Sequence, residues 1–150
     1  MATGTEFEQF FEDLAAGVHS LIGTTPGTDI DELKIYLSNT APNAATHETK
    51  TDVSEISTGN GYSGAQGVSP SGSRSGGTVT VTADEVVITG DGGSVSEFRY
   101  VILFNDTPSS PADPLIGYWD HGEGVTLGDG ESFRWRPNSQ QSGGNLLTIS

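Results

Sequence analysis

The chain contains no cysteine among its 150 residues, and only six residues are lysine or arginine. Without cysteine it can form no disulfide, no zinc–thiolate site and no cysteine nucleophile. The six basic residues stand against 20 acidic ones, which gives a net charge of −14. Because nucleic-acid affinity comes mainly from Lys and Arg that neutralise phosphates, binding to DNA, RNA or an anionic membrane is not expected.

Long apolar runs are also missing. No stretch approaches the roughly 18 apolar residues of a membrane-spanning helix, and the first residues lack the basic and apolar regions of a signal peptide. We therefore expect a soluble protein made in the cytosol. The 21 glycines and the low share of charged residues, 17%, are typical of turn-rich β proteins. The length suits one domain that buries its own core.

One amphipathic helix is predicted near the N-terminus, over residues 5–22. Thr5 and Glu8 form a capping-box pattern, and Gly23 suits the position just after a helix end. Apolar residues recur every three or four positions and form one stripe: Phe7, Phe10, Phe11, Leu14, Val18, Leu21 and Ile22. We predict a helical segment at 1–23 and a β domain at 24–150. The stripe packs either on this β domain or on a neighbouring subunit.

About eight strands separated by turn signals are predicted after the helix. The two most apolar runs, residues 98–104 and 115–119, flank a Pro-rich loop, which indicates a long-looped hairpin at the centre of the fold. Further strands are expected at 32–38, 52–57, 78–89 (bent, or as two strands), 125–127, 132–136 and 146–150, with a turn at 121–124 and a mobile or partner-ordered loop at 64–77. This pattern is typical of an antiparallel β-sandwich of the jelly-roll or immunoglobulin-like kind.

The residue pattern selects no catalytic or metal site. Asp120 and His121 are neighbours, but there is no Gly-x-Ser-x-Gly nucleophile elbow, and adjacent strand residues point to opposite faces. Asp29 and Asp31 lack the rest of a calcium-loop pattern. Pairs of carboxylates carry little information in a chain with 20 acids. We expect no enzymatic activity, no cofactor and no metal.

The aromatic and basic residues of the second half allow two interpretations each. Aromatic side chains either fill the core of the sandwich, which we favour, or form a platform for a sugar; they are Tyr118, Trp119, Phe133 and Trp135. Arg99, Arg134 and Arg136 are expected to pair with acids of this chain or of a partner rather than with phosphate.

Six motifs follow one another along residues 6–133. They read Phe-Glu-x-Phe-x-x-Asp-Leu-Ala-x-Gly-Val-His, Leu-Lys-Ile-Tyr-Leu-Ser-Asn-Thr-Ala-Pro, Thr-Asp-Val-Ser-Glu-Ile-Ser-x-Gly-Asn-Gly-Tyr, Phe-Arg-Tyr-Val-Ile-Leu-Phe-Asn-Asp-Thr, Pro-Leu-Ile-Gly-Tyr-Trp-Asp-His-Gly and Val-Thr-Leu-x-Asp-Gly-Glu-Ser-Phe. In this order they resemble a family of small structural proteins encoded in tailed-bacteriophage genomes. The resemblance is weaker across 64–77 and after Arg134.

The resemblance implies a virion structural protein, foremost a capsid decoration (cement) protein on the outside of the head, made in the host cytoplasm. The partners it implies are the major capsid protein and neighbouring copies of this chain, for which a trimer is one closed arrangement. It implies no catalytic residue. A tail or neck component and a carbohydrate-binding host-attachment module are the alternatives.

Two groups of residues are predicted to contact a partner. They are the helix residues Phe7, Phe10, Phe11 and Leu14, and the loop residues Asn105, Asp106 and Pro111. Three phenylalanines within about one and a half turns are a heavy apolar load for a lone surface helix. The loop at 105–114 is polar, so we expect it to be exposed and to reach a neighbour. The acidity fits simple solubility, a saline habitat or docking on a basic partner, and the sequence leaves these open.

Overall fold

The computed structural model describes residues 4–137 and 145–149. This part of the chain forms one α-helix, one short 3-10 helix at Lys50–Asp52 and ten strands, so the protein is mainly β, as predicted. The helix α1 is Glu8–Ala15. The strands are β1 (Thr5–Glu6), β2 (Leu33–Ser38), β3 (Gln66–Gly67), β4 (Ser71–Ser75), β5 (Thr78–Thr82), β6 (Val86–Thr89), β7 (Phe98–Asn105), β8 (Leu115–Val125), β9 (Ser132–Trp135) and β10 (Asn145–Ile149).

A five-stranded antiparallel sheet with the order β1-β8-β7-β2-β3 is the centre of the fold. The predicted hairpin is confirmed as β7 and β8, which pair Val101 with Trp119 and Ile102 with Tyr118. Two smaller antiparallel sheets, β10-β5-β4 and β6-β9, accompany it. The predicted segment at 78–89 is thus two strands. The predicted last strand is confirmed up to Ile149, and Ser150 lies outside the described residues.

Both faces of the central sheet are covered, which explains why β7 is a nearly continuous apolar run. On one face, Val101 and Leu103 belong to a large core that includes side chains of the two smaller sheets, such as Val81 and Trp135. The arrangement is therefore sandwich-like. On the other face, Ile102 and its neighbours form a second, smaller core. Residues 44–53 lie along this sheet, because the backbone amide of Leu115 donates to Glu48 and that of Lys50 donates to Asp113.

The N-terminal helix is shorter than predicted, and the capping box at Thr5 is wrong. Thr5 and Glu6 are the edge strand β1, because they pair with Tyr118 and Gly117 of β8. The helix ends early, at Ala15, and Gly17 just beyond it has φ +82°. The amide of Gly17 donates to Leu14 and that of Val18 to Asp13, which is the Schellman arrangement for a glycine after a helix end. Gly17, not Gly23, therefore terminates the helix.

The glycine- and serine-rich segment at 64–77 is ordered, which corrects the prediction of a mobile or partner-ordered loop. It contains β3 and β4, and β4 pairs along its length with β5. Gly72 exchanges backbone hydrogen bonds with Gly23 of the segment that follows the helix. A Cβ at Gly72 would collide with the carbonyl oxygen of Leu21. The glycine is thus required for this close approach of two backbones.

Two further expectations are wrong for local reasons. No strand forms at 52–57. The 3-10 helix Lys50–Asp52 ends at the start of this range, and Asp52 accepts hydrogen bonds from the amides of Glu48 and Thr49. β8 continues to Val125, where the sequence predicted a turn at 121–124 and a separate strand at 125–127. Its pairing with β7 shifts register between Phe98 and Tyr100. The glycines there are accommodated as a strand irregularity rather than as a reversal.

Candidate partner-binding surface

The four helix residues predicted to bind a partner separate into buried and exposed ones. Phe7 and Phe10 are 0% and 1% exposed, so they belong to this chain's own core and present no surface to a partner. Phe7 packs on Tyr118 at 5.4 Å between ring centroids, and Phe10 packs on His19 at 5.1 Å. Leu14 is half-buried against the large core. Phe11 is 57% exposed, which makes it the only helix residue of the set that faces outward.

The loop at 105–114 is also only partly exposed. Asn105 is fully buried, which corrects its assignment as a surface residue. Its side-chain amide nitrogen donates to Asp31 at 2.7 Å and contacts the Nδ1 atom of His19 at 2.9 Å. Asp106 forms an ion pair with Lys34 at 2.7 Å. Pro111 is exposed, as predicted. The accessible part of the loop is therefore its tip.

The exposed side of the helix carries two glutamates near Phe11. Glu8 and Ala15 lie three residues before and four residues after Phe11, so they share its side of the helix. Both are exposed, and so is Glu12, the next residue along the chain. We call Glu8, Phe11, Glu12 and Ala15 the Phe11 face. It combines one large apolar side chain with two acids and contains no basic residue.

The charges of the surface are strongly one-sided. Five of the six basic residues form ion pairs with acids of this chain: Lys34, Lys50, Arg99, Arg134 and Arg136. These pairs use four of the 20 acids, because Arg134 and Arg136 share Glu85, and leave 16 acids outside such pairs. The prediction that the arginines pair with the chain's own acids is confirmed. The unpaired carboxylates produce a field that attracts a basic surface.

The Asp120–His121 pair does not form a catalytic arrangement. Arg99 binds Asp120 through two hydrogen bonds, of 2.8 and 3.0 Å, and the amide of Gly122 donates a third. The Arg99 hydrogen bond is the main reason why the pKa of Asp120 lies below its usual value. His121 is exposed and its ring lies 5.8 Å from that of Phe133. Asp120 thus anchors Arg99 rather than orienting the imidazole.

The aromatic residues of β8 and β9 fill the core, as favoured from the sequence. Trp119 and Trp135 are 3% and 0% exposed, and their rings meet edge to face at 5.0 Å. Phe133 is buried as well, and Tyr118 is half-buried beside Phe7. Stacking on a sugar needs an exposed ring face, so these tryptophans do not form a carbohydrate platform.

A polar cluster that the sequence did not indicate attaches residues 50–62 to the central sheet. The hydroxyl of Tyr62 donates to Glu55 at 2.6 Å and accepts from the amide of Leu37 at 3.1 Å. Lys50 donates to the other oxygen of Glu55 at 2.9 Å and lies over the ring of Tyr36. Burial, followed by the Glu55 hydrogen bond, raises the pKa of Tyr62, so the phenol stays protonated as a donor. The cluster covers the edge of β2 and serves stability.

The open clefts on the described part of the molecule include the following two. One, of about 330 Å³, lies between the edge strands β1 and β10 and contains Trp119 and a single carboxylate, Glu6. The other, of about 370 Å³, contains Glu32 and Lys34. No group of three or more metal-binding side chains occurs within residues 4–137 and 145–149. Among the same residues, no helix has the length and apolar character that a membrane crossing needs.

Comparison with known proteins adds no relative. No protein-family model matches the chain, and neither the curated proteins nor the solved structures contain a significant match. The described residues define a mainly β protein with one short α-helix, and the sequence is strongly acidic.

Proposed function

We propose that this protein is a non-enzymatic structural protein of a tailed-bacteriophage virion. Its role is that of a decoration, or cement, protein that binds the major capsid protein on the outside of the head and stabilises the shell. The motif order along residues 6–133 supports the family, and the Phe11 face supports the mode of binding. Neighbouring copies on the shell are the second expected contact, with a trimer as one arrangement.

The observation that carries the proposal is the exposure of Phe11 between two acids. A phenylalanine side chain buries about 150–250 Å² when it is fully covered. Covering the 57% of Phe11 that is exposed would contribute about 2 to 3.5 kcal/mol. Glu8 and Glu12 beside it favour a docking site that carries Lys or Arg around an apolar pocket. Binding to a repeated site on the shell then stabilises the folded subunit by mass action.

The alternatives within the virion differ in what they predict. A tail or neck component would be present in few copies per particle, whereas a shell protein is present in numbers comparable with the capsid subunit. A carbohydrate-binding module is less well supported, because Trp119 and Trp135 lie in the core. The Phe11 face suits a protein surface better than a glycan, since it contains one apolar ring and no second exposed aromatic residue within the helix.

The binding mode is tested with shells that lack this protein, incubated with the purified wild type or with Phe11→Ser. The control is Val87→Ser, because Val87 is also a large apolar residue, 43% exposed, but lies on β6. We expect Phe11→Ser to weaken cosedimentation with the shells by about 30-fold or more, Val87→Ser to bind normally, and added salt to weaken the wild type. Equal binding of Phe11→Ser and the wild type would show that this face is not the docking site.

A further inference from the structure

A buried polar cluster joins the segment after α1 to the end of β7. His19 follows the helix, Asp31 precedes β2 and Asn105 ends β7; they are 7%, 9% and 0% exposed. Asn105 contacts both other side chains. Asp31 also accepts from the amide of Ser20 at 2.8 Å. Three distant parts of the chain are therefore connected through one side-chain amide.

The hydrogen bonds of Asn105 determine the protonation state of His19. The side-chain oxygen of Asn105 accepts from the backbone amide of Thr107 at 3.0 Å, which defines the orientation of the amide group. Its two N–H bonds then point to the carboxylate of Asp31 and to Nδ1 of His19. Nδ1 must accept this hydrogen bond, so the proton of the neutral imidazole lies on Nε2. His19 is thus held neutral in one tautomer.

Protonation of His19 is incompatible with this arrangement. A proton on Nδ1 would place two donors, His19 and Asn105, against each other, and the hydrogen bond between them would be lost. Nε2 of His19 is buried without a hydrogen-bond partner. The ring is also packed against Phe10, so an imidazolium at this buried position would lose much of its hydration.

The charged groups that face the ring are two carboxylates. Asp13 of α1 is 5% exposed and has one oxygen without a partner, and Asp31 comes from the segment before β2. Both carboxylates favour the charged imidazole, but burial is the larger effect, and the pKa of His19 lies below its ordinary value. The folded protein therefore binds a proton at this site less readily than the unfolded chain does.

We propose that the hydrogen bond between His19 and Asn105 is an acid-sensitive latch that fastens the segment after α1 to the base of the 105–114 loop. In neutral solution the latch is closed because the imidazole accepts from Asn105. As the pH falls below about 6.5, the ordinary value for histidine, the unfolded chain takes up the proton first and stability is lost until the pH reaches the folded pKa. Acid thereby loosens the N-terminal segment before the rest of the fold.

The latch is tested directly on the wild-type protein by NMR of the histidine side chains. We expect His19 to show the Nε2–H tautomer at neutral pH and to titrate below about 6.5, the ordinary value for histidine. The protection factors for hydrogen exchange, which correct for the slower intrinsic exchange in acid, should fall on mild acidification in residues 8–20 and 106–107 before they fall in β2 and β7. An Nδ1–H tautomer, or a His19 that titrates at or above about 6.5, would overturn the proposal.

A matched pair of variants tests the energetic consequence. His19→Gln keeps an oxygen that can accept from Asn105 at every pH, and His121→Gln removes an exposed histidine. Between about pH 7 and pH 5, a single proton changes the unfolding equilibrium constant by at most about tenfold per pH unit. We expect His19→Gln to flatten this dependence in urea unfolding and His121→Gln to retain it. An unchanged slope in a folded His19→Gln protein contradicts the latch, and if that variant does not fold, the NMR titration decides.

Discussion

The sharpest structural prediction concerns the two adjacent phenylalanines of the helix. Phe10 is 1% exposed and Phe11 is 57% exposed, although both belong to the same apolar stripe. Replacement of a buried phenylalanine by alanine costs about 3–5 kcal/mol, since it removes apolar contacts and leaves a cavity. For a chain of this length, that loss corresponds to a decrease in Tm of about 6–20 °C. Replacement of an exposed residue usually changes stability by less than about 0.5 kcal/mol.

The assay is thermal and urea unfolding of Phe10→Ala and Phe11→Ala beside the wild type. We expect Phe10→Ala to lower the Tm strongly and Phe11→Ala to leave it within about 2 °C. The shell-binding assay should give the opposite order, because only Phe11 reaches the surface. If both variants lose similar stability, or if Phe10→Ala is as stable as the wild type, the burial on which the binding surface was assigned is wrong.

Two further predictions follow from other contacts. Gly72→Ala should lower the free energy of unfolding by more than about 1 kcal/mol, because its Cβ collides with Leu21, whereas Gly77→Ala in the same hairpin has open space and should be neutral; similar melting curves for both would contradict the close approach. Asp120→Asn should cost less than about 1 kcal/mol at neutral pH, since its ion pair with Arg99 is partly exposed. The pKa of Asp120 is lowered in the folded protein, so its stabilisation is fully present above the ordinary value of 3.8 and is lost as the pH falls through the folded pKa. The stabilities of variant and wild type should therefore converge in acid. A difference in urea unfolding that does not change with pH would refute this.

The hairpin and the fold class could be predicted because they depend on local patterns. Consecutive residues are enough to identify the apolar runs of β7 and β8 and the turns between strands. The same reasoning led to the correct interpretation of Trp119 and Trp135 as core residues, since aromatic side chains supply much of the apolar surface that such a core buries. Pairing of the arginines with acids of the chain followed from the excess of carboxylates.

The errors arose where a distant partner decided the local structure. Thr5 has a good capping pattern, but β8 offers it a strand partner more than 100 positions away, at Tyr118. The segment 64–77 has the composition of an unstructured loop, yet its strand β4 pairs with β5. Gly72 in this segment also exchanges backbone hydrogen bonds with Gly23. Asn105 has the composition of an exposed loop residue, and only its contacts with His19 and Asp31 show that it is buried.

The Phe11 face was only partly predictable for the same reason. The periodicity identifies a stripe of apolar residues, but it cannot divide that stripe between the core and a partner. Gly17 stops the helix just after Ala15, and β1 precedes its beginning. In this short helix Phe10 lies inward and Phe11 outward. That division required the positions of β8 and of the segment after the helix.

The copy number of this protein in purified virions tests the proposed function most directly. It is measured by quantitative mass spectrometry of particles, with the major capsid protein as the internal reference. A decoration protein of the head is expected at a fixed ratio of the order of one copy per capsid subunit, or per small cluster of subunits. Its absence from particles, or a few copies per virion that remain with isolated tails, would contradict the account.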